Sequence, residues 1–378
     1  MKGEEIQSER SRWPAITYAI VFVLLLAIPL LFLPFSGELD RSSEKRVPVA
    51  FPSFSSDYGN LPRAFEEWFE DHLGFRSAMI RFYRQSRFEL GLLGSEKNVL
   101  RGKEDWLYYA GNGPGNSVQA YTGANAFSES ELNRLQLYFE TWGNWLDDQG
   151  IEFLVLVAPN KVSVYPEYLP NRISRSPFGT RVERFLERMS GSGFPVVFPL
   201  GELLDKKSED SLLYYKLDTH WNAKGAFVAY DVLIRELSGS IRLSFADIEF
   251  DGSVRSGGDI TELFGIKSDW SDMVYTMLLN RGNWATDLGA SDFAGSRMHR
   301  FSVDDPTLPR ALVFHDSFME PMKGVLARHF SESVFSPDIA LKRDLILEVK
   351  PDFVIVEFAE RFLYSYLKHS LAGDAYRQ

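Results

Sequence analysis

Two nearly unbroken apolar runs constrain the fold of this chain more than any other feature. Residues 151–158 read Ile-Glu-Phe-Leu-Val-Leu-Val-Ala, and residues 351–358 read Pro-Asp-Phe-Val-Ile-Val-Glu-Phe. A strand with one wet face alternates apolar and polar side chains, so a continuous run predicts a strand covered on both faces. Shorter runs at 194–198 and 311–314 predict two more such strands. Helical patterns lie between them, at 128–148, 179–189, 223–237, 318–330 and 338–349. The first opens on Ser128 with Glu131 three residues on, the pattern of a capping box, and Gly150 closes it. Buried strands alternating with amphipathic helices predict an α/β domain, a parallel sheet flanked by helices. Residues 99–110 predict a strand pair. The polar, glycine-rich stretch 111–123 lacks the Lys-Ser/Thr of a phosphate cradle and reads as a loop. Residues 241–310 are the least periodic and are expected to form an insertion or long loops.

The N-terminal part has a different character. From Trp13 to Phe35 no residue is charged. In a helix this run spans roughly 34 Å, enough to cross a hydrocarbon core of about 30 Å. It predicts an N-terminal transmembrane helix rather than a buried soluble one. A cleaved signal peptide is the rival, but its apolar region is shorter and ends in a small-x-small site, which Leu31-Phe-Leu-Pro-Phe-Ser does not offer. Lys2, Arg10 and Arg12 precede the span while Arg41, Lys45 and Arg46 follow it, so charge leaves the orientation tied. A short tail before one early span is the pattern of a signal anchor, which places the large domain outside the cytoplasm. Residues 36–62, rich in Ser, Pro and charge, read as a linker. Beyond them, Phe65, Trp68, Phe69, Leu73, Phe75, Ile80, Phe82, Tyr83 and Phe88 predict two amphipathic helices broken near Gly74. These either pack on the main domain or meet a membrane surface or partner. The expected organisation is therefore a cytoplasmic tail and anchor at 1–35, linker and amphipathic helices at 36–94, and a catalytic domain at 95–378.

Composition excludes several functions. A formal net charge of −11 disfavours a nucleic-acid partner, which demands a basic face. The absence of cysteine excludes disulfides, thiolate metal sites and a cysteine nucleophile.

The chemistry concentrates in two short stretches. Residues 215–222 read Tyr-Lys-Leu-Asp-Thr-His-Trp-Asn, with Asp218 and His220 two apart, which puts both side chains on one face of an extended chain. An aspartate orienting one imidazole nitrogen leaves the other free to take a serine proton. Phe314-His-Asp-Ser-Phe318 supplies Ser317 just past a buried strand, where sites form in open α/β sheets. Its plainer role is to cap the helix that follows. Asn222 likewise reads as a helix cap or as a substrate contact. A metal alternative joins His315 and Asp316 to Asp218 and His220, although the spacing is generic.

Together these stretches resemble the SGNH-hydrolase-like domain of the alginate O-acetyltransferases AlgJ and AlgX. The resemblance covers roughly residues 95–365. It includes Gly102-Lys-Glu-Asp-Trp-Leu-Tyr-Tyr109, Tyr121-Thr-Gly123, Ala158-Pro-Asn-Lys161, Tyr165-Pro-Glu-Tyr-Leu-Pro170 and Glu360-Arg361. It implies a permuted SGNH order in which the Asp-x-His pair precedes the serine: Ser317 as nucleophile, His220 as general base and Asp218 as its orienting acid. His315, Asn222, Lys161, Arg361 and Tyr121 become candidates for substrate or oxyanion contacts. His315 stands where the family usually has glycine, and its side chain either crowds the oxyanion pocket or donates to substrate.

The implied activity is O-acetylation of an extracytoplasmic polysaccharide through an acyl-enzyme, with no cofactor and no metal. The alternatives are a carbohydrate acetylesterase and a non-catalytic polysaccharide-binding component of an export or modification complex. The implied acetyl source is a multispan membrane O-acyltransferase. The implied location is the inner membrane, single-pass, with the catalytic domain in the periplasm.

Overall fold

The computed structural model describes residues 13–31, 49–52, 59–73, 75–89, 98–111, 113, 115–209, 212–237, 243–264, 270–279, 285–293 and 296–371. The chain divides into two compact units, 1–92 and 93–378.

The first unit contains the helices Trp13–Leu31, Leu61–His72 and Arg76–Glu89. Trp13–Leu31 has 19 residues and no charged side chain. Its length is about 28 Å, short of the expected span, whose last residues 32–35 lie outside the described residues. Among the described residues no helix is long and apolar enough to cross a membrane. Most of its described apolar side chains are nevertheless exposed, among them Phe22, Leu25 and Leu31. The two amphipathic helices form as expected, and Phe75, with φ 61, marks the turn between them. Most of the expected 36–62 linker lies outside the described residues.

The second unit is built on a seven-stranded sheet. Its first elements are a small antiparallel pair, β1 (Val99–Arg101) and β2 (Leu107–Tyr109). Then follow β3 (Glu152–Ala158), β4 (Val196–Val197), β5 (Ile248–Ser256), β6 (Ser271–Leu279), β7 (Thr286–Phe293) and β8 (Ser296–Ser302). β9 (Arg310–His315), β10 (Glu332–Ser336) and β11 (Phe353–Ala359) complete the set. The sheet order is β4-β3-β11-β9-β10-β8-β7. β4 through β10 run parallel, whereas β10 to β8 and β8 to β7 are antiparallel. The all-parallel expectation is thus corrected to a mixed sheet. The continuous apolar runs are explained: Leu154 and Leu156 enter one core, Val155 and Val157 the other, so β3 is covered on both faces.

Local signals place the helices. Ser128 and Glu131 form the expected capping box at the start of Glu129–Asp148, and Thr180 with Glu183 forms a second before Arg181–Met189. Three expectations fail. Residues 318–330 are not one helix but a 3₁₀ segment, Ser317–Met322, leading into Lys323–Ala327, because Pro321 cannot donate to a continuous ladder. Within 111–123 a capped helix, Ser117–Thr122, replaces the loop. Residues 241–310 hold four strands: β5 and β6 pair as a separate antiparallel ribbon, and β7 and β8 extend the main sheet. Glycines interrupt β5 and β7, and the mixed polar and apolar residues of β6 and β8 do not alternate strictly, so the signal by which strands are recognised is weak.

Behind the site, the helix Ala223–Glu236 lies so close to the preceding loop that a Cβ on Gly225 would stand 2.4 Å from the Leu213 carbonyl oxygen. Gly225→Ala is expected to lower unfolding free energy by about 1–3 kcal/mol in urea titration. Gly201→Ala, where a Cβ meets nothing within 4 Å, serves as the neutral control.

Candidate active site

The carboxyl ends of β9 and β11 hold the serine turn. Asp316 leaves β9 and caps the 3₁₀ segment: its Oδ1 accepts from the Phe318 amide at 2.7 Å, and its Oδ2 accepts from the Ala359 amide at 2.7 Å. The cap is therefore Asp316, not Ser317, and the serine hydroxyl is free for other work. Ser317 is exposed, and its Oγ lies 2.7 Å from His220 Nε2. On the other side of the ring, His220 Nδ1 lies 2.6 Å from Asp218 Oδ1. Spacing in the sequence did not ensure this contact. It forms because the turn also brings the His220 amide onto Asp218 Oδ1 at 3.1 Å.

Two loops 97 residues apart are locked by apolar and polar contacts together. The buried Trp221 indole donates to the Phe318 carbonyl at 2.8 Å, and the Phe318 ring lies 4.7 Å from the His220 ring. Asp218 is 5% exposed, and its Oδ2 accepts from Arg255 Nη2 at 2.9 Å and from the Asp259 amide at 3.1 Å. Burial alone would raise the Asp218 carboxyl. The hydrogen bond and charge of His220, with the amides of Asp259 and His220, outweigh it and hold the group well below the usual carboxylate range. A serine, an imidazole and an ionised carboxylate thus stand in hydrogen-bonded series, the arrangement that moves a proton off a hydroxyl.

The other candidates take different places. Lys161 is 4% exposed and donates to three carbonyls of the acid's loop, Tyr215 at 3.1 Å, Lys216 at 3.0 Å and Asp218 at 2.7 Å. It braces that loop. Burial lowers its ammonium to about 8, against the opposing pull of Asp259, Asp218 and Asp272. Asn222 is fully buried and caps Ala223–Glu236, accepting from the Lys224 and Gly225 amides. His315 is 1% exposed, with Nδ1 on the Asp316 carbonyl oxygen at 2.6 Å, so it is turned away from the surface. Tyr121 is buried in the core on Ser117–Thr122. Arg361 stays near the serine turn, its guanidinium 5.0 Å from the Phe318 ring. With Ser117, Asn160, Lys161 and Thr219 it lines a cavity of about 10 Å³, room for one water. The buried Nδ2 of Asn160 has no hydrogen-bond partner among the described residues.

Three residues that went unnoticed in the sequence support the acid: Arg255, Asp259 and Asp272, all from the stretch read as an insertion. Asp272 Oδ2 accepts from the Leu217 amide at 2.8 Å, and Asp259 Oδ1 accepts from the Thr219 amide at 2.7 Å. Their only local signal was Gly257-Gly258-Asp259: a Cβ on Gly258 would stand 2.8 Å from the Asp218 Cβ. The metal set of His315 and Asp316 with Asp218 and His220 does not assemble. Among the described residues, Asp218, His220 and Asp259 have ligand atoms within 4.8 Å of one another. Those atoms are engaged with each other, with Thr219 and with a guanidinium, which is a hydrogen-bonded acid–base set rather than an ion cage.

The fold is that of an SGNH-hydrolase-like domain. Residues 99–275 match the family described as SGNH hydrolase-like domain, acetyltransferase AlgX. A probable alginate O-acetylase AlgJ of Pseudomonas fluorescens is 26% identical over 148 residues, 39% of this chain and 35% of that protein. The match thus spans about a third of the relative's length. Two solved structures share the fold: PatB1 of Bacillus cereus, with TM-score 0.51, 18% identity and 70% of this chain covered against 96% of that one; and a DHHW family protein of Eubacterium siraeum, with TM-score 0.51, 13% identity and 65% against 90%. Over residues 99–275 the chain thus resembles the AlgJ/AlgX-like family.

Two measurements test the supports of the site. Lys161→Met is expected to cost about 2–4 kcal/mol, because three carbonyls lose a charged donor, and to speed amide exchange across 213–221. The second concerns acid. Burial, then Lys323, holds the His315 imidazole down at about 4, and burial, then Arg328, holds His329 at about 4. Between an ordinary histidine value of about 6.5 and these values, the unfolded chain binds protons that the folded one refuses. Stability is therefore expected to fall as pH drops through that window, and His315→Asn to flatten the slope of the urea midpoint against pH.

Proposed function

We propose that this protein is an O-acetyltransferase that modifies an extracytoplasmic polysaccharide through a serine acyl-enzyme. The observation that carries the reading is the series Ser317 Oγ to His220 Nε2 at 2.7 Å and His220 Nδ1 to Asp218 Oδ1 at 2.6 Å. Ser317 Oγ attacks the acetyl carbonyl as its proton passes to His220 Nε2, and Asp218 steadies the imidazolium. Collapse expels the donor's leaving group, which takes that proton and leaves acetyl on the serine. A sugar hydroxyl then gives its proton to His220 and attacks the ester, and the proton returns to Ser317. We assign the developing oxyanion to the Ser317 amide, at the start of the 3₁₀ segment, and to the guanidinium of Arg361, which lies over the Phe318 ring.

Sugar hydroxyl, rather than water, is favoured as acceptor by the family and by the relative named as a probable alginate O-acetylase. The family resemblance further supports an acetyl donor relayed by a multispan membrane O-acyltransferase. An anchor in the inner membrane, with the catalytic domain on the periplasmic side, rests on the uncharged run from Trp13 to Phe35 and on the exposed apolar side chains of Trp13–Leu31.

The full chain in detergent, given p-nitrophenyl acetate and an oligosaccharide, is expected to release p-nitrophenol and add acetyl mass to the sugar. Ser317→Ala should lower the rate at least about a thousandfold and abolish labelling by a fluorophosphonate. Undiminished turnover in Ser317→Ala would sink the acyl-enzyme, and turnover with an unmodified sugar would make the protein an esterase.

A further inference from the structure

We propose that Asp259 is a second acid of this site, a positioning residue whose carboxylate acts with Asp218 as counter-ion to the His220 imidazolium. The inference rests on the serine acyl-enzyme reading and adds a component that the triad pattern does not contain. Two carboxylates flank the same edge of the ring. Asp218 Oδ1 is hydrogen-bonded to Nδ1 at 2.6 Å, and Asp259 Oδ2 lies 3.5 Å from that nitrogen. The longer distance is outside hydrogen-bonding range, so Asp259 acts through its charge and holds no proton of the ring.

Its side chain is fixed from both ends. Oδ1 accepts from the Thr219 amide at 2.7 Å, and Oδ2 accepts from the Thr219 hydroxyl. In return the Asp259 amide donates to Asp218 Oδ2 at 3.1 Å. This reciprocal pair closes the 218–220 turn onto the start of the helix Asp259–Phe264. Losing either partner would free the His220 ring as well as remove a charge.

Charge balance gives the second carboxylate a purpose. Arg255 donates to Asp218 Oδ2 at 2.9 Å, so the acid of the triad is already paired with a full positive charge. Arg255 offsets part of the Asp218 charge, so a second carboxylate adds to the field felt by an imidazolium. Below the loop, Lys161 and Asp272 attract each other and offset in turn. Asp218, Asp259 and Arg255 together therefore carry one net negative charge, which is matched when His220 takes the serine proton. Burial first, then the neighbouring Asp218, pushes the Asp259 carboxyl up, and His220 pulls it down. The group accordingly ionises most readily when the ring beside it becomes charged.

The test is the pH dependence of p-nitrophenyl acetate turnover by the full chain. Asp259→Asn keeps an oxygen for the Thr219 amide but removes the charge. Losing a negative charge makes the imidazolium less stable, so the acidic limb of kcat/KM is expected to move to lower pH by about one unit. In parallel kcat should fall about tenfold with KM unchanged. Should Asp259→Asn not fold, Asp259→Ser, which keeps an acceptor at the helix start, carries the same readout. A folded variant with an unmoved acidic limb and unchanged kcat overturns the inference, as does a rise in KM alone. Ser317→Ala separates the two levels: if it abolishes turnover while the Asp259 variants behave as wild type, only the second acid fails. If Ser317→Ala remains active, the acyl-enzyme reading fails and takes the second acid with it.

Discussion

The indole of Trp221, wholly buried, donates to the carbonyl of Phe318, and the site depends on that bond. It joins the loop carrying the acid and base to the turn carrying the serine, at backbone level rather than through the reacting side chains. The ring of Phe318 then supports the imidazole from below. A hydrogen bond in an apolar setting is costly to break because neither group finds water, so it sets the separation of the two loops. The reacting atoms can consequently lie partly in solvent without losing alignment: Asp218 is buried, His220 half-buried and Ser317 exposed.

Beneath the site lies a layer of buried ionisable groups with divided tasks. Lys161 keeps its charge and uses it on three carbonyls. Glu360, at the end of β11, accepts from the Asn160 amide and the Ser163 hydroxyl at 3.0 Å, tying β11 to the segment after β3. Burial, then Asp316, pushes Glu357 well above the usual carboxyl range. Such groups contribute little net stability. Both Glu357 carboxyl oxygens are buried without a hydrogen bond among the described residues, whereas Lys161 and Glu360 Oε2 find their partners in one arrangement of the strand ends. They fit the need of a site built from loops: a single geometry at the edge of the sheet.

The ribbon of β5 and β6 shows how support for a site can come from the least informative part of a chain. Arg255 and Asp272 reach the acid's loop from β5 and β6, and Asp259 from the start of the helix Asp259–Phe264 between them, a stretch that was read only as an insertion. Lys161 and Asn222 teach the converse. Both stand in motifs that resemble those of a functional site, and both are spent on holding backbone. A motif marks the neighbourhood of a site without saying which of its side chains face the substrate.

By itself the sequence determined the covered strands β3, β9 and β11, the capped helix Glu129–Asp148 and the candidates Asp218, His220 and Ser317. Those features follow from local pattern: continuous apolar runs, a capping box, and residue types able to pass a proton. Only the tertiary structure decided that the sheet is mixed, that Asp316 rather than Ser317 caps the turn, that His315 points inward and that Asp259 stands beside the imidazole. Each of these depends on partners distant in the chain, such as Asp316 with Ala359 and Thr219 with Asp259. Pairing across such separations is settled by the packing of the whole sheet, which no local pattern records.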